Sequence, residues 1–264
     1  MTPTWPSIAA GTDGANAPAV RSALICGWLR RAIAEPAASA WILRGSIVTA
    51  VLCPGARTPG DVDYLVPGDA TTFDPSAMED AVRTVCDARD AETSFSLVSA
   101  EVIWGESKSP GLRAHVRGDT GAALGRFQVD LAVGDPMCVP PVMLTIGGVG
   151  DVRAVAPETL FAWKLHGLAE FGPGKWRAKD LFDLDVLWRH AALDRGRTVA
   201  AVELAFASRD LGLAALDDFR TRPSWGLSRG GARKWRTLGR ANPMCDELVA
   251  TRDRVRAAVE DLLS

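Results

Sequence analysis

The chain has 264 residues, 47% hydrophobic and 23% charged, with a formal net charge of −2 and a pI near 6.0. These are the proportions of a soluble globular protein of one large or two smaller domains, and they exclude a chain-wide basic field for nucleic acid. No apolar stretch approaches the roughly 20 residues of a membrane span, so no membrane partner is expected.

The N-terminal MTPTWPSIAAGTDGANAP lacks a basic leader and an apolar core, so residues 1–17 are expected to be a mobile tail and not a signal peptide. Val20, Leu24, Trp28 and Ile33 then recur at helical spacing over 18–35, and Pro36 ends the run. Five cysteines (26, 53, 86, 138 and 245) form no C-x-x-C pair and are odd in number. They point to free thiols in a reducing cytoplasm, not to a disulfide framework or zinc site. His115, His166 and His190 are scattered, as core or surface histidines would be.

Residues 40–67 carry the most information: a strand ending in Gly45-Ser46, a short helix, a turn, and a second strand opening with Asp61-Val62-Asp63. Residues i and i+2 of a strand project from one face, so the two carboxylates stand side by side, about 6–7 Å apart at Cα. Like charges that close repel unless a cation lies between them. Mg²⁺, which takes a few carboxylates together with substrate phosphate oxygens, is the natural occupant. Gly45 offers backbone free of side-chain bulk and Ser46 a hydroxyl, both suited to a phosphate at a helix start. The pairing suggests metal-assisted chemistry on a nucleoside triphosphate.

A helix is expected over 75–89, with Met78, Val82 and Val85 on one side. From 93 to 146 alternating runs separated by glycine-rich turns predict hairpins. In RFQVDLAV, Phe127, Val129, Leu131 and Val133 share one face, and Gln128 and Asp130 the other. After Gly150 the pattern becomes helical, with Pro157-Glu158 opening a helix that stops at Gly172-Pro173-Gly174. Further helices are expected over 177–192, near 198–219 and over 244–263.

Lys164 falls among Leu160, Phe161 and Leu168 on its helix, where a lysine must snorkel, pair with a carboxylate, or face an anion. Asp180, at the edge of the next helix, can pair with Lys164 or Arg177. From Arg220 to Arg240 there are seven basic residues and no acidic one, with Trp225 and Trp235 interleaved. Basic groups neutralise phosphates and aromatic faces stack on unpaired bases, so Arg229, Arg233, Lys234, Arg236 and Trp235 are candidate RNA contacts. A solvated basic loop anchored by its tryptophans is the other reading.

The pieces L-R-G-S at 43–46, R-T-P-G-D-V-D-Y-L-V at 57–66, V-D-L at 129–131, A-P-E-T-L-F-A-W-K-L-H-G-L at 156–168 and R-A-K-D-L-F-D-L at 177–184 occur in one order. They resemble the AbiEii/AbiGii family of nucleotidyltransferase toxins, among whose relatives are the MenT-like toxins of type IV toxin–antitoxin systems. The resemblance implies an α+β fold: a polymerase-β-like nucleotidyltransferase core with a mixed sheet over 18–150 and a helical C-terminal domain over 151–264. It implies that Gly45 and Ser46 grip the triphosphate, that Asp61 and Asp63 bind Mg²⁺, and that Lys164 and Asp180 complete the catalytic site. Asp130 sits where the wider superfamily often has a third metal-binding acid. One departure is the fourteen-residue connection between Ser46 and Asp61, which lengthens the loop over 54–60.

The expected activity is transfer of a nucleotidyl group from an NTP to RNA, foremost a tRNA 3′ end. This would block translation in the cytoplasm under the control of a cognate antitoxin. Lys164 is expected to face Ser46 and the aspartates across a cleft and hold the β/γ-phosphates, with 220–240 beside the cleft mouth. The alternatives are an aminoglycoside-type small-molecule nucleotidyltransferase, which needs an acidic pocket where 220–240 is basic, and a catalytically silent binding or regulatory module. The intact Gly45-Ser46, Asp61, Asp63, Lys164 and Asp180 set argues against the latter.

Overall fold

Alternation and helical periodicity sort this chain into one sheet and two groups of helices. The computed structural model describes residues 18–89, 91–105, 107–242 and 244–264; the expected N-terminal tail lies outside them. Helix α1 (Pro18–Ala34) is followed by β1 (Ile42–Arg44), α2 (Ser46–Leu52), β2 (Val62–Val66) and α3 (Pro75–Asp87). Then come β3 (Ser94–Ile103), β4 (Gly111–Asp119), β5 (Leu124–Val133), β6 (Val142–Ile146) and β7 (Gly150–Ala154). The helices α4 (Pro157–Lys175), α5 (Ala178–His190), α6 (Arg195–Ala207), α7 (Asp217–Thr221), α8 (Arg229–Ala241) and α9 (Leu248–Leu263) complete the chain.

The sheet is mixed, as an α+β nucleotidyltransferase core requires, with strand order β3-β4-β5-β2-β1-β7-β6. Strands β3, β4 and β5 form an antiparallel meander. β2 joins it parallel to β5, β1 is antiparallel to β2, and β7 runs parallel to β1. The expected apolar face of β5 is buried: Phe127, Val129, Leu131 and Val133 are at most 4% exposed. Trp28 of α1 meets Phe95 and Phe127 edge-on at 5.9 and 5.8 Å, the geometry the ring quadrupoles favour. Each such side chain contributes about 1.5–3 kcal/mol by burial. Arg31 also enters this core, donating to the carbonyls of Cys86 and Thr93 with its guanidinium 4.6 Å from the Phe95 ring centroid. It ties α1 to α3 and β3.

The chain divides into two compact units. Of the described residues, one unit comprises 18–51, Thr58–Asp135 and Pro141–Val155; the other comprises Leu52–Arg57, Pro136–Pro140 and Ala156–Ser264. Two elements differ from expectation. β7 lies past residue 150 yet belongs to the sheet, where Val155 N–H donates to the Leu43 carbonyl; its Gly-Asp start hides the strand from composition. α8 is a helix where three glycines of low helix propensity suggest a loop. Ser228 Oγ caps it by accepting from Gly231 N–H at 3.1 Å, and Trp235 anchors it.

In the helical unit, Trp176, Trp225, Trp235 and Phe219 form one aromatic cluster, with the Trp176 and Trp225 rings 5.3 Å apart. α4 breaks at Gly172, whose φ of +56° lies in the left-handed region, next to Pro173. Helix geometry therefore fails close to the stop expected from the sequence.

Candidate active site

The polar face of the sheet gathers the acids. Arg44, last in β1, is in register with Asp63 of β2, and Asp63 with Asp130 of the parallel neighbour β5. Between β1 and α2 the chain turns at Gly45 with φ +74°. A Cβ added there would fall 2.1 Å from Asp63 Oδ2, so the carboxylate lies directly on glycine backbone. Ser46 is buried and its hydroxyl donates to Asp61 Oδ1 at 3.4 Å. The sheet thus sets Gly45, Ser46, Asp61 and Asp63 together.

Asp130 is on the same face but already engaged. Arg113 of β4, its cross-strand partner, donates from Nε to Oδ1 at 2.9 Å and from Nη2 to Oδ2 at 2.7 Å. Among the described residues, no group of three or more His, Cys, Asp or Glu side chains is arranged to hold a metal ion. Asp61, Asp63 and Asp130 are therefore not a ready three-acid cage, because Arg113 occupies both oxygens of the third. The donor set still suits Mg²⁺, which binds through one or two carboxylates and leaves its other positions to water and substrate phosphate. The glycine beside Asp63 leaves space that any side chain would fill.

A second cluster lies within the helical unit. Lys164 of α4, 8% exposed, donates to Asp183 Oδ2 at 2.6 Å and stands 3.6 Å from Asp180 Oδ1. The expected pairing of Asp180 with Lys164 or Arg177 occurs with both, Arg177 Nε lying 3.3 Å from Oδ2. Sequence reasoning missed the central partner. Asp183 is fully buried and also accepts from Arg57 Nε at 3.1 Å. Burial pushes its carboxyl up, but the charges of Lys164 and Arg57 outweigh that and hold it below the ordinary carboxylate range. Only the K-D-L-F-D spacing, which puts Asp183 one turn from Asp180, hinted at this role.

The basic stretch is partly as expected. Arg229, Arg233, Arg236 and Arg240 recur at helical spacing along one exposed side of α8, and Lys234 is exposed while donating to the Trp176 carbonyl at 3.1 Å. The tryptophans are not available for stacking. Trp225 is 1% and Trp235 5% exposed, and Trp235 Nε1 donates to the Asp246 carbonyl at 2.9 Å. The stacking role expected of Trp235 is therefore withdrawn, since its apolar faces complete the helical core.

Among the described residues, no helix is long and apolar enough to cross a membrane. No curated protein matches this chain. Two solved structures from Helicobacter pylori share its fold. JHP933 has a TM-score of 0.54 at 16% identity, over 93% of this chain and 91% of its own. A protein described provisionally as a nucleotidyltransferase has a TM-score of 0.52 at 14% identity, over 92% of this chain and 93% of its own. The model of the AbiEii nucleotidyltransferase toxin family matches residues 28–260. With that match spanning both the sheet that carries Gly45, Ser46, Asp61 and Asp63 and the helices that carry Lys164 and Asp180, the chain belongs to the AbiEii nucleotidyltransferase toxins of type IV toxin–antitoxin systems.

Proposed function

We propose that this nucleotidyltransferase moves a nucleotidyl group from an NTP to an RNA 3′ end, that of a tRNA foremost, and so blocks translation in the cytoplasm until its antitoxin counters it. The observation that carries the reading is the seating of Asp63 on the bare backbone of Gly45, beside Ser46 and Asp61. Glycine there lets a triphosphate approach the chain closely while the carboxylates remain next to it. Asp61 and Asp63 would hold Mg²⁺, which would supply charge neutralisation at the α-phosphate and the departing pyrophosphate.

The acceptor hydroxyl attacks the α-phosphorus and the bond to the β-phosphate oxygen breaks. Pyrophosphate leaves, and the hydroxyl proton passes to a carboxylate of the same face or to water. Positioning and charge supply most of the rate, as in other phosphoryl transfers. Lys164 serves the nucleotide phosphates as a compact charge. Asp180 and Asp183 hold its ammonium at a defined place, and Asp180, the less buried of the two, completes the site. Asp130, bound by Arg113, fixes the sheet face next to Asp63; it would serve as a further metal ligand only on giving up Arg113. Arg229, Arg233 and Arg236, with Lys234, meet phosphates of the RNA body.

Incubation of the purified protein with total tRNA, Mg²⁺ and each labelled NTP in turn tests this. Label should pass from an NTP into tRNA, and Asp63→Ala should reduce transfer by about 10³-fold or more without lowering the melting temperature. Label appearing in a protein or small molecule in place of RNA, or activity surviving in that variant, would overturn the proposal.

A further inference from the structure

The polar face of the sheet continues past Asp130. On β5, residues 126, 128 and 130 share it, and on β4 residues 113, 115 and 117. The register sets Arg113 against Asp130, His115 against Gln128, and Arg117 against Arg126. The first of these pairs is the salt bridge already described. The last places two exposed arginines directly opposite one another, an arrangement that like-charge repulsion destabilises. Neither side chain has a hydrogen bond or ion pair among the described residues. An anion placed between them would relieve the repulsion.

A cleft of about 510 Å³ opens at this spot, lined by Arg21, Gly60, Ser99, His115, Arg126 and Gln128. Arg21 reaches it from α1, its Nη1 3.5 Å from where a Cβ on Gly60 would stand. Gly60 adjoins Asp61 in the chain, and Gln128 is one pleat from Asp130. Two of the residues that line the cleft thus neighbour acids of the site along the chain. A carboxylate in contact with its lining is Glu101, 3.5 Å from His115 Nε2.

Strand order decides what the cleft can receive. In a nucleotidyl transfer the attacking and leaving oxygens lie on one line through phosphorus. Gly45-Ser46 follow β1, on one side of Asp63, whereas β5 and β4 lie on the other. With the leaving phosphates against Gly45-Ser46, the attacking hydroxyl comes from over β5. The chain behind it crosses β4, about 10 Å from β2 at the usual strand spacing.

We infer that this cleft is the acceptor subsite: the phosphodiesters just 5′ of the reacting hydroxyl, in a single-stranded polynucleotide end, lie against Arg21 and Arg126 with Arg117 alongside. Gln128 and His115 face the sugar or base of the terminal nucleotides. Three arginines spread over a helix and two strands match a row of phosphates better than one phosphate. This assignment deepens the proposed function and rests on it.

The Arg21→Ala/Arg126→Ala double variant of the full chain tests it: Arg126 is exposed, Arg21 is half-buried, and neither has a hydrogen bond or ion pair among the described residues, so the melting temperature should change little. The KM for RNA should rise about tenfold, and the salt dependence of binding to a single-stranded oligoribonucleotide should flatten by about 1.4 in log–log slope, two phosphates at about 0.7 each. The dissociation constant for Mg–NTP should not change. A variant that weakens NTP binding while sparing the acceptor would make the cleft a donor-phosphate site and overturn the inference, and so would unchanged oligonucleotide binding. If the wild-type protein extends no RNA with any NTP, the RNA-transfer reading falls, and oligonucleotide binding still decides the cleft. Loss of that binding in the double variant upholds it, and equal or absent binding in both proteins refutes it.

Discussion

Asp61, beside the sheet, and the aspartates of α5 face opposite electrostatic situations. On α5, Asp180, Asp183 and Asp185 are all buried, and each meets cations from its own unit. Asp183 has Lys164 and Arg57, and Asp180 has Lys164 and Arg177. Asp185 takes both ends of Arg254, at 2.7 and 2.9 Å, together with Arg189. Just before β2, half-buried Asp61 receives a long hydrogen bond from the Ser46 hydroxyl. Where charge is closed by protein cations, the carboxylate orders structure. Where it is met by a serine hydroxyl alone, as at Asp61, chemistry can enter. The helical unit reverses this on its surface, where α8 carries a row of open arginines.

That contrast can be broken most strongly at Asp183. Asp183→Asn leaves Lys164 and Arg57 facing a neutral amide in a buried place and should cost about 3 kcal/mol or more in chemical denaturation. Its pH signature follows from its depressed pKa. The stabilisation from Asp183 is complete above the ordinary carboxylate range and is lost as pH falls through the lower folded-state value. Stability of the wild type should therefore decline below about pH 4 more steeply than that of the variant. Equal declines would mean the cluster is not the closed charge described here.

Asp180→Asn sharpens the same comparison, because Lys164 keeps its shorter partner. Stability should change by about 1 kcal/mol, while turnover should drop by about 10–100-fold if Asp180 belongs to the site. A large stability loss with normal turnover would place Asp180 with the structural acids. The smallest effect is expected on α8. Arg233→Glu/Lys234→Glu should lower tRNA modification severalfold at physiological salt and leave Mg–NTP binding unaltered. Normal modification in that variant would make the arginine row a solvated surface.

The features legible in the sequence were those with a short period. Alternation put Phe127, Val129 and Leu131 inside, because a strand leaves no other choice once one face is buried. The burial of Lys164 was legible from its helical neighbours. Its main partner was not, since Asp183 is bridged to Arg57 across 126 positions and no local pattern encodes that meeting. Trp235 misled for a related reason. An aromatic among arginines has the same composition whether it stacks on a base or closes a core, and only its packing on Trp176 separates the two. The arginine pair Arg117 and Arg126 was invisible because a register, not a motif, brings them face to face.

Gly45 has a consequence for the cell that carries the gene. Any residue with a side chain there must both adopt a left-handed backbone and push Asp63 away. If the proposed function holds, one nucleotide change at that codon should be enough to inactivate the transferase without replacing any charged residue or opening the hydrophobic core. Colonies that survive forced expression of the gene should be enriched in substitutions at Gly45, each still yielding full-length, folded protein.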